Sequence, residues 1–114
     1  MPNAFPKSHH LRSGMDFRRV YDARRSASDG VMVVYARAND LPHARLGLSV
    51  SRKVGNAVAR NRWKRLLREA FRLSRETLPP GHDLVIVPRH PAPPALADLL
   101  VALPQLAARA SQRR

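Results

Sequence analysis

The run Gly55-Asn56-Ala57-Val58-Ala59-Arg60-Asn61-Arg62-Trp63-Lys64-Arg65-Leu66-Leu67-Arg68-Glu69-Ala70-Phe71-Arg72 writes dense positive charge at helical spacing beside a continuous apolar stripe. A chain that contains it must bury one side of a long helix and leave the other to solvent or to a polyanion. At about 100° per residue, Ala59, Trp63, Leu66, Leu67, Ala70 and Phe71 fall in one arc, and Asn61, Lys64, Arg65, Arg68 and Arg72 in the opposite one. Arg60 and Arg62 lie near the two borders. Burial of the apolar arc would present the cations on a rigid support, and guanidinium forks suit bidentate contacts to phosphates and base edges where an ammonium offers a point charge. A solvated helix face is the ordinary alternative for a charged helix, but such faces mix signs in i,i+4 pairs, and Glu69 is the only acid in this run. The one-sided stripe reads as an electrostatic footprint for nucleic acid.

The whole chain agrees, since 21 Lys and Arg against 8 Asp and Glu give a formal charge of +13 over 114 residues. A polyanionic partner is expected. A membrane surface fits less well, because the long basic helix carries compact, core-type apolar residues and no separate amphipathic anchor is evident. This length predicts one domain, over 13–112, behind a flexible basic tail over 1–12. The absence of cysteine excludes disulfides, thiolate catalysis and cysteine-based zinc sites. Met1 to Gly14 has no apolar run of the signal-peptide kind, and no segment has membrane-spanning length, so the cytoplasm is the expected compartment.

Along the chain, Ser13 and Asp16 resemble a capping box that opens a helix to about Arg25, with Phe17, Val20, Tyr21 and Arg24 on one mixed face. Val31 to Arg37 reads as a strand. Arg45 to Ser51 alternates strictly, sending Leu46, Leu48 and Val50 inward and leaving Gly47, Ser49 and Ser51 as a small polar face that a ligand backbone could approach. The basic helix should run from about Asn56 to Arg75. Pro79-Pro80-Gly81 breaks the chain before a buried strand over Asp83 to Arg89, and a last helix carries Leu96, Leu99, Leu100 and Leu103 until Pro104 kinks or ends it. This order implies an α+β sandwich of helices on a small sheet.

The chemistry-bearing residues argue against catalysis by the chain itself. Asp16, Asp22, Asp29, Asp40, Asp83 and Asp98 are scattered over different elements, whereas a metal nuclease needs clustered carboxylates. His9, His10, His43, His82 and His90 have no metal-ligand spacing. No catalytic or metal-binding residue is assigned. On the residues alone two binding classes remain open: a general, ribosome-associated structured-RNA-binding module, and a DNA-binding protein laying its long helix in a major groove. No dimerisation heptad or helix-turn-helix pair supports the second.

The run Leu46-Gly47-Leu48-Ser49-Val50-Ser51-Arg52-Lys53-Val54-Gly55-Asn56-Ala57-Val58-Ala59-Arg60-Asn61-Arg62-Trp63-Lys64-Arg65-Leu66-Leu67-Arg68, with the preceding Phe17-Arg18-Arg19-Val20-Tyr21 and a following strand ending at Arg89, strongly resembles the bacterial ribonuclease P protein family. Trp63 is a departure, standing where the family usually has an aliphatic residue; it should alter local packing rather than the outward arc. The resemblance implies an α-β-β-β-α-β-α fold with a left-handed crossover, similar to a domain of a ribosomal protein and an elongation factor, with its extra first strand near Arg25 to Ser28. It implies a role beside a catalytic RNA that removes the 5′ leader from precursor transfer RNA, as one protein with one RNA subunit. Magnesium would belong to the RNA holoenzyme. By the same resemblance Arg60, Asn61, Arg62, Lys64, Arg65 and Arg68 would meet the RNA subunit, and the Arg52-Lys53-Val54-Gly55-Asn56 turn, where Gly55 allows close backbone approach and the helix start favours a phosphate, would add Arg52, Lys53 and Asn56. Phe17, Tyr21, Tyr35, Ser49 and Arg89 would hold the leader in a cleft between the first helix and the sheet. Aromatic platforms and phosphate-tracking cations are what a single strand requires, although each of these aromatics reads equally well as a core residue. Asn56 reads equally as an ordinary N-cap.

Overall fold

The structure is a computed structural model that describes residues 9–11 and 13–112. Its elements are α1 (Gly14–Asp22), β1 (Ser26–Ser28), β2 (Met32–Ala38), β3 (Arg45–Leu48), α2 (Ala57–Ser74), β4 (His82–Pro88) and α3 (Leu96–Ser111), with a short 3-10 turn at Arg75–Thr77 after α2. The four strands form one sheet in the order β1-β2-β4-β3. β2 pairs antiparallel with β1 and with β4, and β3 pairs parallel with β4. The parallel pair requires a crossover, and α2 supplies it.

Period-two alternation divides the sheet into two faces. Met32, Val34, Ala36, Leu46, Leu84 and Ile86 are buried on one of them with Trp63, Leu67 and Phe71 of α2 and Leu99, Leu103 and Leu106 of α3. The predicted inward arc of α2 is therefore the observed one, with Leu66 and Ala59 half-buried at its margin. Trp63 is fully buried and its indole Nε1 donates to the His90 carbonyl at 2.7 Å, so the larger ring ties α2 to the β4–α3 connection and leaves the outward arc untouched.

α1 covers only part of the opposite face. Gly47 of β3, Val85 of β4 and Tyr35 of β2 form one registered row across the sheet. Phe17 packs over Gly47, where a Cβ would stand 2.9 Å from its ring, and Tyr21 meets Tyr35 edge-on with centroids 5.0 Å apart. Val20 is buried with Val85 between these contacts. To one side of this row lie Arg45, Asp83 and Arg37; to the other lie Val87 and Val33, with Ser49 beyond the end of β3. On the first side Asp83, 2% exposed, takes a bidentate pair from Arg45 through Nε and Nη2, both at 2.7 Å, and a further bond from Asn39 Nδ2 at 2.8 Å. That hydrogen-bonded carboxylate, with weaker help from Asp16, raises the Arg45 pKa against the opposing effect of burial.

Several expectations change. α1 stops at Asp22 rather than Arg25, because Arg24 takes a left-handed φ of 56° and its N–H turns back to the Tyr21 carbonyl. The half of the capping box supplied by Ser13 forms, its Oγ accepting from Asp16 N. α3 continues through Pro104 to Ser111, because Leu106, Ala107 and Ala110 carry its buried stripe past the proline and offset the missing donor. β3 ends at Leu48, and the small face at Gly47 is filled by Phe17 and Leu11 rather than left open to a ligand backbone. Leu11 also changes the picture of the tail. His10 bridges in parallel to Leu46, Leu11 N donates to the Leu46 carbonyl at 2.9 Å, and the Leu11 side chain is buried, so residues 9–11 cover the outer edge of β3. Residues 1–8 and 12 of the predicted tail lie outside the described residues.

Candidate nucleic-acid interface

The β3-to-α2 turn is built by its own backbone. Val54 N donates to the Ser51 carbonyl and Gly55 N to the Arg52 carbonyl, and Gly55 adopts φ 154°, with any Cβ held 3.1 Å from that of Ala59. Asn56 then caps α2, its Oδ1 accepting from Ala59 N at 3.0 Å. The N-cap reading of Asn56 is thus the one its side-chain oxygen follows. Arg52 and Lys53 stand exposed on this turn, and the first turn of α2 has no acid to neutralise them.

Along α2, Asn61, Arg62, Arg65 and Arg68 are exposed, while Arg60 and Lys64 are half-buried. Val58, Asn61, Arg62 and Arg65 line a shallow concavity of about 250 Å³. Arg60 Nε is a buried donor with no acceptor among the described residues. Arg72, although on the same arc, is bound to Glu69 through Nε at 3.0 Å and Nη2 at 2.5 Å. This pair holds the Glu69 carboxyl below its ordinary range, chiefly through the hydrogen bond, and takes Arg72 out of the set of cations open to a ligand.

The second group of predicted residues gathers on the α1 side of the sheet. Phe17, Tyr21, Tyr35 and Ser49 are each half-buried, so the aromatics are packed and partly presented at once. Beyond them, half-buried Val87 and Val33 floor the open part of the face. Ser49 N donates to the Ile86 carbonyl and Arg89 N to the Val31 carbonyl, which fixes both residues at the end of the sheet where the basic turn stands. Ser51, Lys53, Val54, Val87, Pro88 and Arg89 line one concavity of about 210 Å³ there. The two predicted groups are therefore neighbours, joined through Lys53 and Arg89. The floor positions Val33 and Val87 were not among the predicted residues; alternation within their strands gives their face, but only register shows that α1 leaves it uncovered.

Among the described residues no group of three or more His, Asp or Glu side chains is placed to hold a metal ion, and no helix is long and apolar enough to cross a membrane.

Fold and surface together define a class: a small, strongly basic α+β protein whose cations line one helix and one end of a half-covered aromatic sheet face. The sequence matches the Ribonuclease P family over residues 5–110. It is 48% identical over 89 residues to the ribonuclease P protein component of Methylococcus capsulatus, covering 77% of this chain and 69% of that one. It is 41% identical over 86 residues to that of Clostridioides difficile, covering 75% of each. The structure is similar to the RNase P protein of Staphylococcus aureus, with TM-score 0.77 and 31% identity over 93% of this chain and 97% of the other. It is also similar to that of Thermotoga maritima, with TM-score 0.66 and 39% identity over 70% and 73% of the two chains. The chain belongs to the ribonuclease P protein family, the protein components of that ribonuclease.

Proposed function

We propose that this chain assists a catalytic RNA subunit in removing the 5′ leader of precursor transfer RNA, holding the RNA subunit with the turn and outer arc of α2 and the leader with the open sheet face. The observation that carries this reading is the adjacency of the two surfaces at one end of the sheet, where Lys53 and Arg89 line a common concavity. A leader lying on Val33, Val87, Tyr21 and Tyr35 meets aromatic platforms worth roughly 1–3 kcal/mol per stacked base. Its exit past Arg89 leads toward the cations of α2. The exposed Asn61, Arg62, Arg65 and Arg68 support the first surface, since their polar groups stand open to an RNA acceptor.

The chemistry belongs to the RNA subunit and to magnesium held by RNA, and no step is assigned to the carboxylates of this chain. The protein lowers repulsion between two polyanions and adds a contact that exists only in the precursor. Such a contact distinguishes substrate from the leaderless product and leaves product free to depart. One protein with one RNA subunit suffices for this arrangement.

The test is precursor cleavage by a bacterial ribonuclease P RNA at low magnesium with and without the chain. Appearance of the mature 5′ end only with protein is the expected result. Tight RNA binding without stimulation would instead make the chain a general structured-RNA-binding protein. Arg65→Ala should weaken assembly with the RNA subunit and Tyr21→Ala mainly precursor affinity.

A further inference from the structure

The phase of α1 against the sheet singles out a cation that neither surface has yet used. Tyr21 meets Tyr35 edge-on and stands about 140° round α1 from Asp16, whose flank faces Arg45, so the Tyr21 flank lies toward the Val33 and Val87 side of the sheet. Asp16 marks the opposite flank, where it acts on Arg45 beside Asp83. At about 100° per residue, Arg18 stands roughly 60° round the helix from Tyr21 and roughly 160° from Asp16. Arg19 has the reverse placement, close to the Asp16 flank, and its Nη2 contacts Met15 Sδ at 3.5 Å. Both arginines are exposed, and by this phase Arg18 is the one on the groove's side of α1.

Arg18 has no ion-pair partner among the described residues, and Asp22, one turn on, does not pair with it. Across the open face stand Arg89 and Lys53. Cations therefore rim both sides of an apolar, aromatic floor. A single strand whose bases face that floor directs its phosphates to the rims, and a guanidinium there suits a phosphate better than a base.

Resting on the leader-binding reading above, we infer that Arg18 is a positioning residue for the precursor, holding a leader phosphate from the α1 rim opposite Arg89. The contact adds charge where the substrate has a leader and nothing where the product has none. It also gives the groove two-sided purchase on the backbone, so that stacking on Tyr21 and Tyr35 takes place in one register.

The experiment compares holoenzyme affinity for precursor and for mature transfer RNA across a salt series, using wild type, Arg18→Ala, Arg18→Lys and Arg19→Ala. Arg18→Ala should weaken precursor binding about five- to tenfold, less than the loss of a buried charge-assisted contact because Arg18 is exposed and its contact is screened by solvent. It should also reduce the steepness of the precursor's log–log salt dependence by about 0.7, the value for one single-strand phosphate. Mature transfer RNA binding should not change, Arg18→Lys should restore most of the slope, and Arg19→Ala should behave as wild type. If wild type prefers precursor while Arg18→Ala keeps both affinity and slope, the inference is overturned and the leader-binding reading stands. If wild type itself shows no preference for precursor, both fall. Equal losses for Arg18→Ala and Arg19→Ala would reduce the effect to general charge and overturn the role of Arg18.

Discussion

Gly47→Ala tests the packing that sets α1 on the sheet. The added methyl would stand 2.8 Å from Leu11 Cδ1 and 2.9 Å from both Cε2 and Cζ of Phe17. Carbon pairs prefer about 3.5–4.0 Å, so each neighbour must withdraw by roughly 0.6 Å or more. Neither is a loose end: Leu11 is tied by its N–H to Leu46, and Phe17 sits within the first turns of α1. Overpacking of this kind costs about 1–3 kcal/mol, against which the alanine recovers about 0.5–1 kcal/mol of strand propensity. The net expectation is a loss of about 1–2 kcal/mol, read as a lower urea midpoint with an unchanged slope. Because Phe17 stands beside Tyr21 in the cluster that walls the groove, precursor affinity should fall with stability. Truncation of the ring makes room for the methyl, so Gly47→Ala should cost clearly less in a Phe17→Ala background. A wild-type midpoint, or an equal cost in both backgrounds, would refute the claim that this glycine exists to seat Phe17.

Two other perturbations probe the opposite side of α1. Asp83→Asn removes the charge from the 2%-exposed carboxylate that Arg45 and Asn39 share; since the Arg45 side chain is 24% exposed and can be rehydrated, the expected loss is about 2 kcal/mol by chemical denaturation, below that of a wholly buried pair. A change within about 0.5 kcal/mol would show that the network merely decorates the β2–β3 connection. The His9 ring lies 4.0 Å from that of His43, and its pKa is lowered first by desolvation, then by His43, Arg75 and His10. Its folded pKa being below the unfolded one, the neutral ring contributes stability above the ordinary histidine range, and that contribution disappears as pH falls through the folded pKa. Amide chemical shifts of Leu11 and Leu46 should therefore move together on acidification, and His43→Ala should shift that transition upward; coincidence with global unfolding would refute a local release of residues 9–11 from the edge of β3.

Much of the architecture was legible in the residue order because burial imposes a period on it. The apolar arc of α2 from Trp63 to Phe71 and the β-branched runs of β2 and β4 follow local spacing, and they appear where spacing places them. The charge of α2 was equally legible, since cations at i, i+3 and i+4 must share a surface. What the chain could not declare locally is how far an element runs when its end is decided by a neighbour. α3 passes Pro104 because Leu106, Ala107 and Ala110 have a core to enter, and Leu11 is buried because β3 presents an edge.

The sequence by itself determined that this protein is a small, cysteine-free, strongly basic chain with a rigid cationic helix, and its motif carried the family resemblance. Tertiary structure alone decided which cations act near one another. The parallel β3–β4 register brings Lys53 and Arg89 to one concavity, the docking of α1 over the Gly47–Val85–Tyr35 row leaves Val33 and Val87 as an open floor, and Glu69 removes Arg72 from the outer arc. The division follows from range: hydrophobic periodicity and net charge are sums over neighbours in the chain, whereas a groove is the space left between elements, and its walls are set by contacts between residues distant in sequence.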